Sequence, residues 1–194
     1  RRGRGRDLAE QLGVSLGAVL LGHGVGDCVA PLFEHGADRV YVVDHPALDA
    51  YTAEPYAEAM SELIRRHKPE IVLAGATSIG RGFIARVAIQ VNAGLTADCT
   101  ELAVDPESRQ LLQTRPAFGG NIMATILCPN HRPQMATVRP KVFARPAPAA
   151  GRTGERMDET MELKAPVVRV LETVNAMQNE VNVAGAEFIV TGGR

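Results

Sequence analysis

Short apolar segments alternate with amphipathic segments over the first half of the chain, and this alternation limits the folds that the chain can adopt. Apolar runs at residues 18–21, 39–44 and 71–74 are typical of buried parallel strands. Helical spacing of apolar residues predicts helices at residues 6–12, 25–35, 54–67 and 79–91. Strands that alternate with helices form a parallel sheet through right-handed crossovers, so the sequence predicts an α/β fold with helices flanking the sheet.

The pattern changes in the second half, where four short β-like runs follow one another with little helical periodicity. These runs are residues 98–104, 110–114, 121–127 and 134–138. We expect them to form an antiparallel β region added to the parallel core. Residues 146–155 are rich in Pro, Ala and Gly and are expected to form a linker, and residues 162–174 are expected to form one more strand.

One strand-like run, residues 111–126, is interrupted by residues that an ordinary core strand does not need. Arg115 and Pro116 come first, and Gly119, Gly120 and Asn121 follow them. Proline fixes φ and removes a backbone donor, whereas glycine permits conformations and close approaches that other residues forbid. Taken alone, the run fits a strand corner with a surface arginine as well as it fits a loop that lets a ligand or partner come near Arg115.

Four separated motifs together carry a resemblance to a known family. They are LAGATSIGR at residues 73–81, GLTADCT at 94–100, LLQTRPAFGGNIMATI at 111–126 and CPNHRPQMATVRP at 128–140. In this order they resemble the N-terminal domain of the electron transfer flavoprotein alpha subunit, and most of all its electron-bifurcating branch. The chain departs from the usual pattern at residues 82–85, where GFIA stands in place of an acidic-Leu-Ala-Pro run.

The resemblance implies a fold and a domain division. The fold would be related to the adenine nucleotide alpha hydrolase-like α/β domains. Residues 1–182 would form the N-terminal alpha-subunit domain without its first strand, because the family places a strand before the helix at residues 6–12. Residues 183–194 would begin a truncated C-terminal domain, the one that carries FAD in this family.

The resemblance also implies electron transfer between flavins rather than hydrolysis or group transfer. It implies an electron transfer flavoprotein beta subunit as partner, with AMP or a second FAD bound to that subunit, and an acyl-CoA dehydrogenase or another flavin dehydrogenase as redox partner. FAD would belong to the full heterodimer, and this part alone is not expected to bind it tightly. The implied contacts with the beta-subunit flavin are Arg115, Thr114, Phe118, Gly119 and Asn121.

Two other classes of function stay open at this point. The segment from Gly75 to Gly80 follows a strand and opens a helix, a place where free backbone N–H groups can bind an anion. It completes neither a Walker A loop nor a GxGxxG motif, and Ser78 also fits a simple helix N-cap. A nucleotide-binding module for AMP or ATP is therefore one alternative. A purely structural domain that only docks the beta subunit is the other.

A few further polar residues have both a structural and a functional interpretation. Asp98 opens a strand, where it either positions a neighbouring arginine or ligand or caps a turn. His23, Asp44 and His45 follow the first two strands, at the edge where α/β proteins bind ligands. Solvated loop residues are the favoured interpretation of these three.

Composition narrows the partners and the compartment. The three cysteines, Cys28, Cys99 and Cys128, are widely spaced, which argues against a disulfide framework and predicts a reducing compartment. The cytoplasm of a prokaryote is what the resemblance implies. Cys128 and His131 lack a second pair of ligands, so no metal site is predicted. A net charge of −1 gives no case for nucleic acid or a membrane surface, and no apolar run is long enough to span a bilayer.

Overall fold

The computed structural model describes residues 3–120, 122–164, 166–174, 186 and 188–193. In this part of the chain the helices are α1 (Arg4–Leu12), α2 (Val29–Glu34), α3 (Ala53–His67) and α4 (Ser78–Gln90). The first strands are β1 (Gly17–Gly22), β2 (Arg39–Asp44), β3 (Ile71–Gly75), β4 (Leu95–Cys99) and β5 (Glu101–Val104). The later strands are β6 (Leu111–Ala117), β7 (Ile122–Ile126), β8 (Gln134–Val138) and β9 (Glu155–Asp158).

The strands form two parallel sheets and one antiparallel sheet. The parallel sheets have the strand orders β1-β2-β9 and β3-β8-β4, and the antiparallel sheet has the order β5-β6-β7. Short 3₁₀ helices occur at Gly26–Cys28, Pro46–Leu48 and Phe118–Gly120. The predicted α/β fold with flanking helices and an added antiparallel region is confirmed.

Apolar spacing explains how the helices pack on the sheets. The buried face of α3 contributes Ala57, Met60 and Ile64 to a cluster that also contains Ile84 of α4 and Met135 of β8. The helix ends where Lys68 takes a left-handed φ of 46° before Pro69, which cannot continue a helix. This packing fixes the start of α4 beside the carboxyl ends of β3 and β8.

An apolar cleft separates the two parallel sheets. Within the described residues, β1 pairs only with β2 and β3 pairs only with β8, so each strand has one edge without a strand partner. A cavity of about 820 Å³ lies between these edges and is lined by consecutive residues of both strands and by side chains of α1, α3 and α4. The lining of the cleft is mostly apolar.

Several predicted elements differ from the observed ones. The sequence predicts residues 134–138 in the antiparallel region, but β8 is the central strand of a parallel sheet, and it is almost wholly buried, as such strands are. The run 98–104 divides into β4 and β5. Because Asp98 has a left-handed φ of 64° and the β4–β8 register shifts there, the chain turns from one sheet into the next.

The chain after the antiparallel sheet also differs from expectation. The linker runs into a strand that the sequence did not predict, since β9 adds to β2 in parallel. The strand expected at 162–174 is wrong for the described part of that range, which holds no strand and exposes Val167, Val168 and Leu171. The helix expected at 25–35 begins as a 3₁₀ turn and becomes α-helical only at Val29. Of residues 183–194 the structure describes 186 and 188–193, which hold no helix or strand, and the second domain stays a prediction.

Candidate functional site

The four motifs meet at one carboxylate, that of Asp98. Arg139 binds it with two hydrogen bonds, from Nε to Oδ1 at 3.2 Å and from Nη2 to Oδ2 at 2.7 Å. Arg81 donates from Nη2 to Oδ1 at 3.3 Å. A third arginine, Arg115, is near enough to add to the charge field at the carboxylate. Each of these residues comes from a different motif, so the fold brings together what the sequence keeps apart.

Strand ends explain why these residues converge. Asp98 lies at the carboxyl end of β4, and Arg139 directly follows β8, the neighbouring parallel strand. The Asp98 N–H donates to Oγ1 of the buried Thr137 at 2.8 Å, and the Arg139 N–H donates to the Cys99 carbonyl at 2.9 Å. The carboxyl ends of neighbouring parallel strands form the ligand-binding edge in open α/β sheets.

Charge and burial set the protonation of the two acids at this edge. Hydrogen bonding and charge from Arg139, with further charge from Arg81 and Arg115, hold the pKa of Asp98 below its usual 3.8, against the opposing effect of burial. Burial raises the pKa of the neighbouring Cys99 thiol, and Arg115 opposes that increase. At neutral pH the cluster therefore holds an ionised carboxylate, a protonated thiol and two positive charges in excess.

Arg115 and Thr114, both predicted as flavin contacts, lie on opposite faces of β6. Side chains alternate along a strand, so Arg115 shares a face with Leu111 and Gln113, which are completely buried toward the parallel sheet. Thr114 points the other way, where its hydroxyl pairs with that of Thr125 at 2.9 Å. The Thr100 N–H donates to the Thr114 carbonyl at 2.9 Å, which ties β6 to the chain just beyond Asp98.

The Arg115 guanidinium differs from its two neighbours in the cluster. It is half-buried, and no hydrogen bond or ion pair joins its side chain to another residue that the structure describes. Arg81, by contrast, donates from Nε to the Ala76 carbonyl at 3.0 Å as well as to Asp98. The planar donors of Arg115 are therefore not used by the described residues.

The remaining predicted contacts lie in the turn after β6. Gly119 and Gly120 have φ values of 73° and 89°, in the left-handed region that favours glycine, and a Cβ at either would meet nothing. Phe118 begins the 3₁₀ turn by its backbone. Asn121 lies outside the described residues, so its predicted contact stays a prediction.

The strand after this turn presents apolar side chains to solvent. Within the described residues β7 pairs only with β6, which leaves one edge of the antiparallel sheet without a strand partner. Ile122 and Met123 are 55% and 52% exposed, and Ile126 and Leu127 are also exposed. An unpaired edge strand with large apolar side chains is typical of a docking surface.

Close packing explains the glycine that ends the Gly75–Gly80 segment. A Cβ at Gly80 would lie 2.0 Å from the Gly75 carbonyl oxygen, so only glycine lets the first turn of α4 approach β3 this closely. Thr77, rather than Ser78, is the N-cap, since its Oγ1 accepts from the Gly80 N–H at 3.0 Å. The segment thus has a structural explanation that needs no bound phosphate.

The polar residues after β1 and β2 make contacts with nearby residues of the same chain. The Asp44 carboxylate accepts from the N–H groups of Gly24 and Val25 at 2.9 and 3.2 Å, and His23 Nδ1 lies 3.3 Å from it. His45 Nδ1 accepts from the Ala47 N–H at 3.1 Å. Within the described ranges, no group of three His, Cys, Asp or Glu side chains is placed to hold a metal ion, and no described helix has the length and apolarity to cross a bilayer.

Sequence reasoning found part of this site and missed part of it. It singled out Arg115 by its unusual neighbours, and it raised the role of Asp98 as the partner of an arginine. It did not identify Arg81 or Arg139, which are surface arginines by spacing alone. Their position along the chain could have identified them. Arg139 directly follows β8, and Arg81 lies near the start of α4, the helix after β3. Both therefore lie at the carboxyl edge of the sheet, where Asp98 also lies.

Comparison with known proteins supports the resemblance. Residues 3–164 match the electron transfer flavoprotein domain family. The chain is 49% identical over 194 residues to the electron transfer flavoprotein subunit alpha of Thermoanaerobacterium thermosaccharolyticum, and 44% identical over 196 residues to that of Clostridium acetobutylicum. Both alignments cover 99% of this chain and 58% of the relative, so the chain spans less than two thirds of these proteins.

A relative named for a different activity is also similar to this chain. The chain is 40% identical over 195 residues to the lactate dehydrogenase (NAD(+),ferredoxin) subunit LctC of Acetobacterium woodii. That alignment covers 99% of the chain and 46% of the relative.

Proposed function

The chain belongs to the electron transfer flavoprotein family, and we propose that it is the part of an alpha subunit that docks the beta subunit and presents Arg115 to a flavin held there. In the longer protein the task would be electron transfer to or from a dehydrogenase that carries flavin, such as an acyl-CoA dehydrogenase. The observation that carries the proposal is the Arg115 side chain, which is half-buried beside Asp98 with its donors free of the other described residues.

The chemistry of arginine fits a flavin at this position. The flavin ring system supplies the redox chemistry when it is bound. A guanidinium keeps its positive charge and offers planar donors that match carbonyl and nitrogen acceptors on one edge of a ring. Placed there, Arg115 stabilises the more negatively charged reduced flavin over the oxidised one and so raises the reduction potential. Apart from Arg115, the cluster holds one further positive charge in excess, which acts in the same direction.

The apolar edge of β7 supports docking of the beta subunit. Ile122 and Met123 pair with Ala117 and Pro116 of β6, so the exposed edge begins next to the turn that follows Arg115. A partner that covers this edge removes apolar surface from water. It also brings its own cofactor within reach of the loop. Docking and flavin contact would therefore be two results of the same interface.

The proposal extends to cofactors, to location and to bifurcation. FAD would be held by a C-terminal domain beyond this part of the chain, and AMP or a second FAD by the beta subunit. The name of the Acetobacterium woodii relative includes both NAD(+) and ferredoxin, which supports flavin-based bifurcation for the longer protein. The cytoplasm of a prokaryote is the proposed location.

Amide hydrogen exchange with and without the beta subunit tests the docking surface. In the full-length alpha subunit, β7 should exchange at least about tenfold more slowly when beta is bound, since tenfold corresponds to about 1.4 kcal/mol. Helix α3 should show no change. Protection at α3 with none at β7 would contradict the proposal.

A matched pair of variants tests the same docking surface through the affinity of the alpha subunit for the beta subunit. Met123→Asp places a charge on the β7 edge, and Ile89→Asp places one on α4, where Ile89 is 82% exposed. Burying an unpaired carboxylate at an interface is costly, so Met123→Asp should weaken binding of beta at least about tenfold, or about 1.4 kcal/mol. Ile89→Asp should leave binding unchanged. Equal effects of the two variants would locate the interface elsewhere.

A further inference from the structure

We infer that Asp98 is a positioning residue that binds Arg81 and Arg139 so that Arg115, of the three arginines in the cluster, keeps its donors free for the partner's flavin. The inference rests on the proposed role of Arg115 and extends it to the residue behind that arginine. Asp98 does not itself reach a cofactor in this account. Its carboxylate determines which of the three arginine side chains is available to bind a cofactor.

The backbone of Asp98 is held in a conformation that few residues adopt. Its φ of 64° lies in the left-handed region, at the point where the β4–β8 register shifts. Such conformations persist where the surroundings fix them, and they gather at functional sites. Here the Asp98 N–H bonds the buried Thr137 hydroxyl at 2.8 Å, and the next residue, Cys99, accepts from the Arg139 N–H at 2.9 Å.

The two bound arginines have little freedom to replace Arg115. Arg139 uses both Nε and Nη2 on the Asp98 carboxylate, in the planar two-bond geometry that fixes a guanidinium in place. Arg81 is held at two points, by the Ala76 carbonyl and by Asp98. Without the carboxylate, three guanidinium groups would share one sheet edge with no counter-ion, and each would repel the others.

The substitution Asp98→Asn removes the negative charge of the side chain and keeps its size and shape. Asparagine has the same size as aspartate and tolerates the left-handed backbone well, so the turn from β4 into β5 should be kept. Its loss of negative charge raises the positive potential around Arg115. In the full-length alpha–beta complex with FAD bound, the potential of the beta flavin should therefore move to a more positive value. Arg115→Ala should move it to a more negative value.

Asp105→Asn is the matched control. Asp105 lies in the turn between β5 and β6, where it accepts from the Ser108 backbone at 3.2 Å, and its own N–H bonds Gln110. Gln110 is five residues from Arg115, or about 17 Å along the strand. At physiological ionic strength charges are screened over about 8 Å, so this change should leave the flavin potential unaltered.

Spectroelectrochemical titration of the four complexes decides between the outcomes. A positive shift for Asp98→Asn, a negative shift for Arg115→Ala and none for Asp105→Asn is the expected result. If Arg115→Ala shifts the potential while Asp98→Asn leaves it unchanged, the positioning role is overturned and the proposed function stands.

If Arg115→Ala leaves the flavin potential unchanged, the proposed function is refuted. A second measurement then still tests the positioning role of Asp98. The Arg139 Nε–H donates to the Asp98 carboxylate at 3.2 Å, so its NMR signal reports this ion pair. The signal should exchange rapidly with water in Asp98→Asn and stay protected in Asp105→Asn. A protected signal in Asp98→Asn would overturn the inference independently of any flavin.

Discussion

Replacing Arg115 should change the partner's flavin far more than it changes the fold. Arg115→Ala removes a guanidinium that donates no hydrogen bond to another described residue, so no buried acceptor in this part of the chain loses its partner. The stability of the alpha subunit should therefore change by less than about 1 kcal/mol. The interaction that is lost is the one with the beta flavin.

The size of the flavin effect follows from the chemistry of the contact. A hydrogen bond to a charged group contributes about 1.5–3 kcal/mol. If all of it favours the reduced flavin, the potential of a two-electron couple falls by about 30–65 mV, because 30 mV corresponds to about 1.4 kcal/mol. Arg115→Lys keeps the charge but not the planar donors, so it should recover only part of this loss.

The assay is spectroelectrochemical titration of the full-length alpha–beta complex. Arg169→Ala is the control, because Arg169 is exposed in a described segment without helix or strand and its removal lowers the net charge equally. The control should titrate like the wild type. Unchanged potentials in Arg115→Ala at normal flavin occupancy would refute the reasoning and leave Arg115 as a surface residue.

Three further predictions concern the fold around the site. Gly80→Ala should destabilise the protein by about 1–3 kcal/mol in urea titration, because its Cβ would meet the Gly75 carbonyl at 2.0 Å. Gly82→Ala, whose Cβ in the same helix would make only an ordinary contact with the Tyr51 hydroxyl at 3.7 Å, should instead stabilise it by up to about 1 kcal/mol, and equal effects would refute the packing argument. The pKa of Asp98 is lowered by Arg139, Arg81 and Arg115, so its contribution to stability is present above about pH 4 and is lost as the pH falls through the folded pKa. The stability difference between wild type and Asp98→Asn should therefore vanish in acid, and a constant difference from pH 2 to 7 would contradict this. Finally, if a further strand of the longer protein fills the cleft between β1 and β3, the isolated chain should bind a hydrophobic dye more strongly than the full-length subunit does. Equal dye binding would argue against that strand.

Local periodicity was enough to predict most of the α/β core. The observed β2 and β8 have the bounds that their residue patterns predicted, and α3 and α4 differ by only one residue at each changed end. These elements are determined by their own apolar spacing. The spacing of apolar residues does not indicate which strands are neighbours. It therefore could not predict that β8 lies between β3 and β4 and is parallel to both.

The errors arose where tertiary contacts decide the structure. β9 is a four-residue strand in a linker-like sequence, and it forms because Gly154 packs against Phe33 and the Asp38 carbonyl, where any Cβ would clash. The expected strand at 162–174 has strand-like residues, but in the described part of that range no neighbouring strand pairs with it. Strand propensity without a partner does not make a sheet.

The sequence predicted Arg115 as a residue of the candidate site, but it did not predict the ion pairs around Asp98. Arg115 stood out because proline and two glycines surround it, which marks an unusual backbone. The ion pairs that Arg81 and Arg139 make with Asp98 depend on strand order and on the left-handed conformation of Asp98, and neither is visible in spacing. The same alternation that places Arg115 toward Asp98 places Thr114 on the opposite face.

A crystal structure of the full-length alpha–beta complex with FAD bound would test the role of Arg115 directly. We expect β7 to lie in the interface with the beta subunit. We also expect a nitrogen of Arg115 within hydrogen-bonding distance of the beta flavin ring, about 2.7–3.2 Å, while Arg81 and Arg139 remain on Asp98. An Arg115 side chain in solvent, or more than about 10 Å from any flavin and so beyond a Debye length, would contradict the proposed flavin contact.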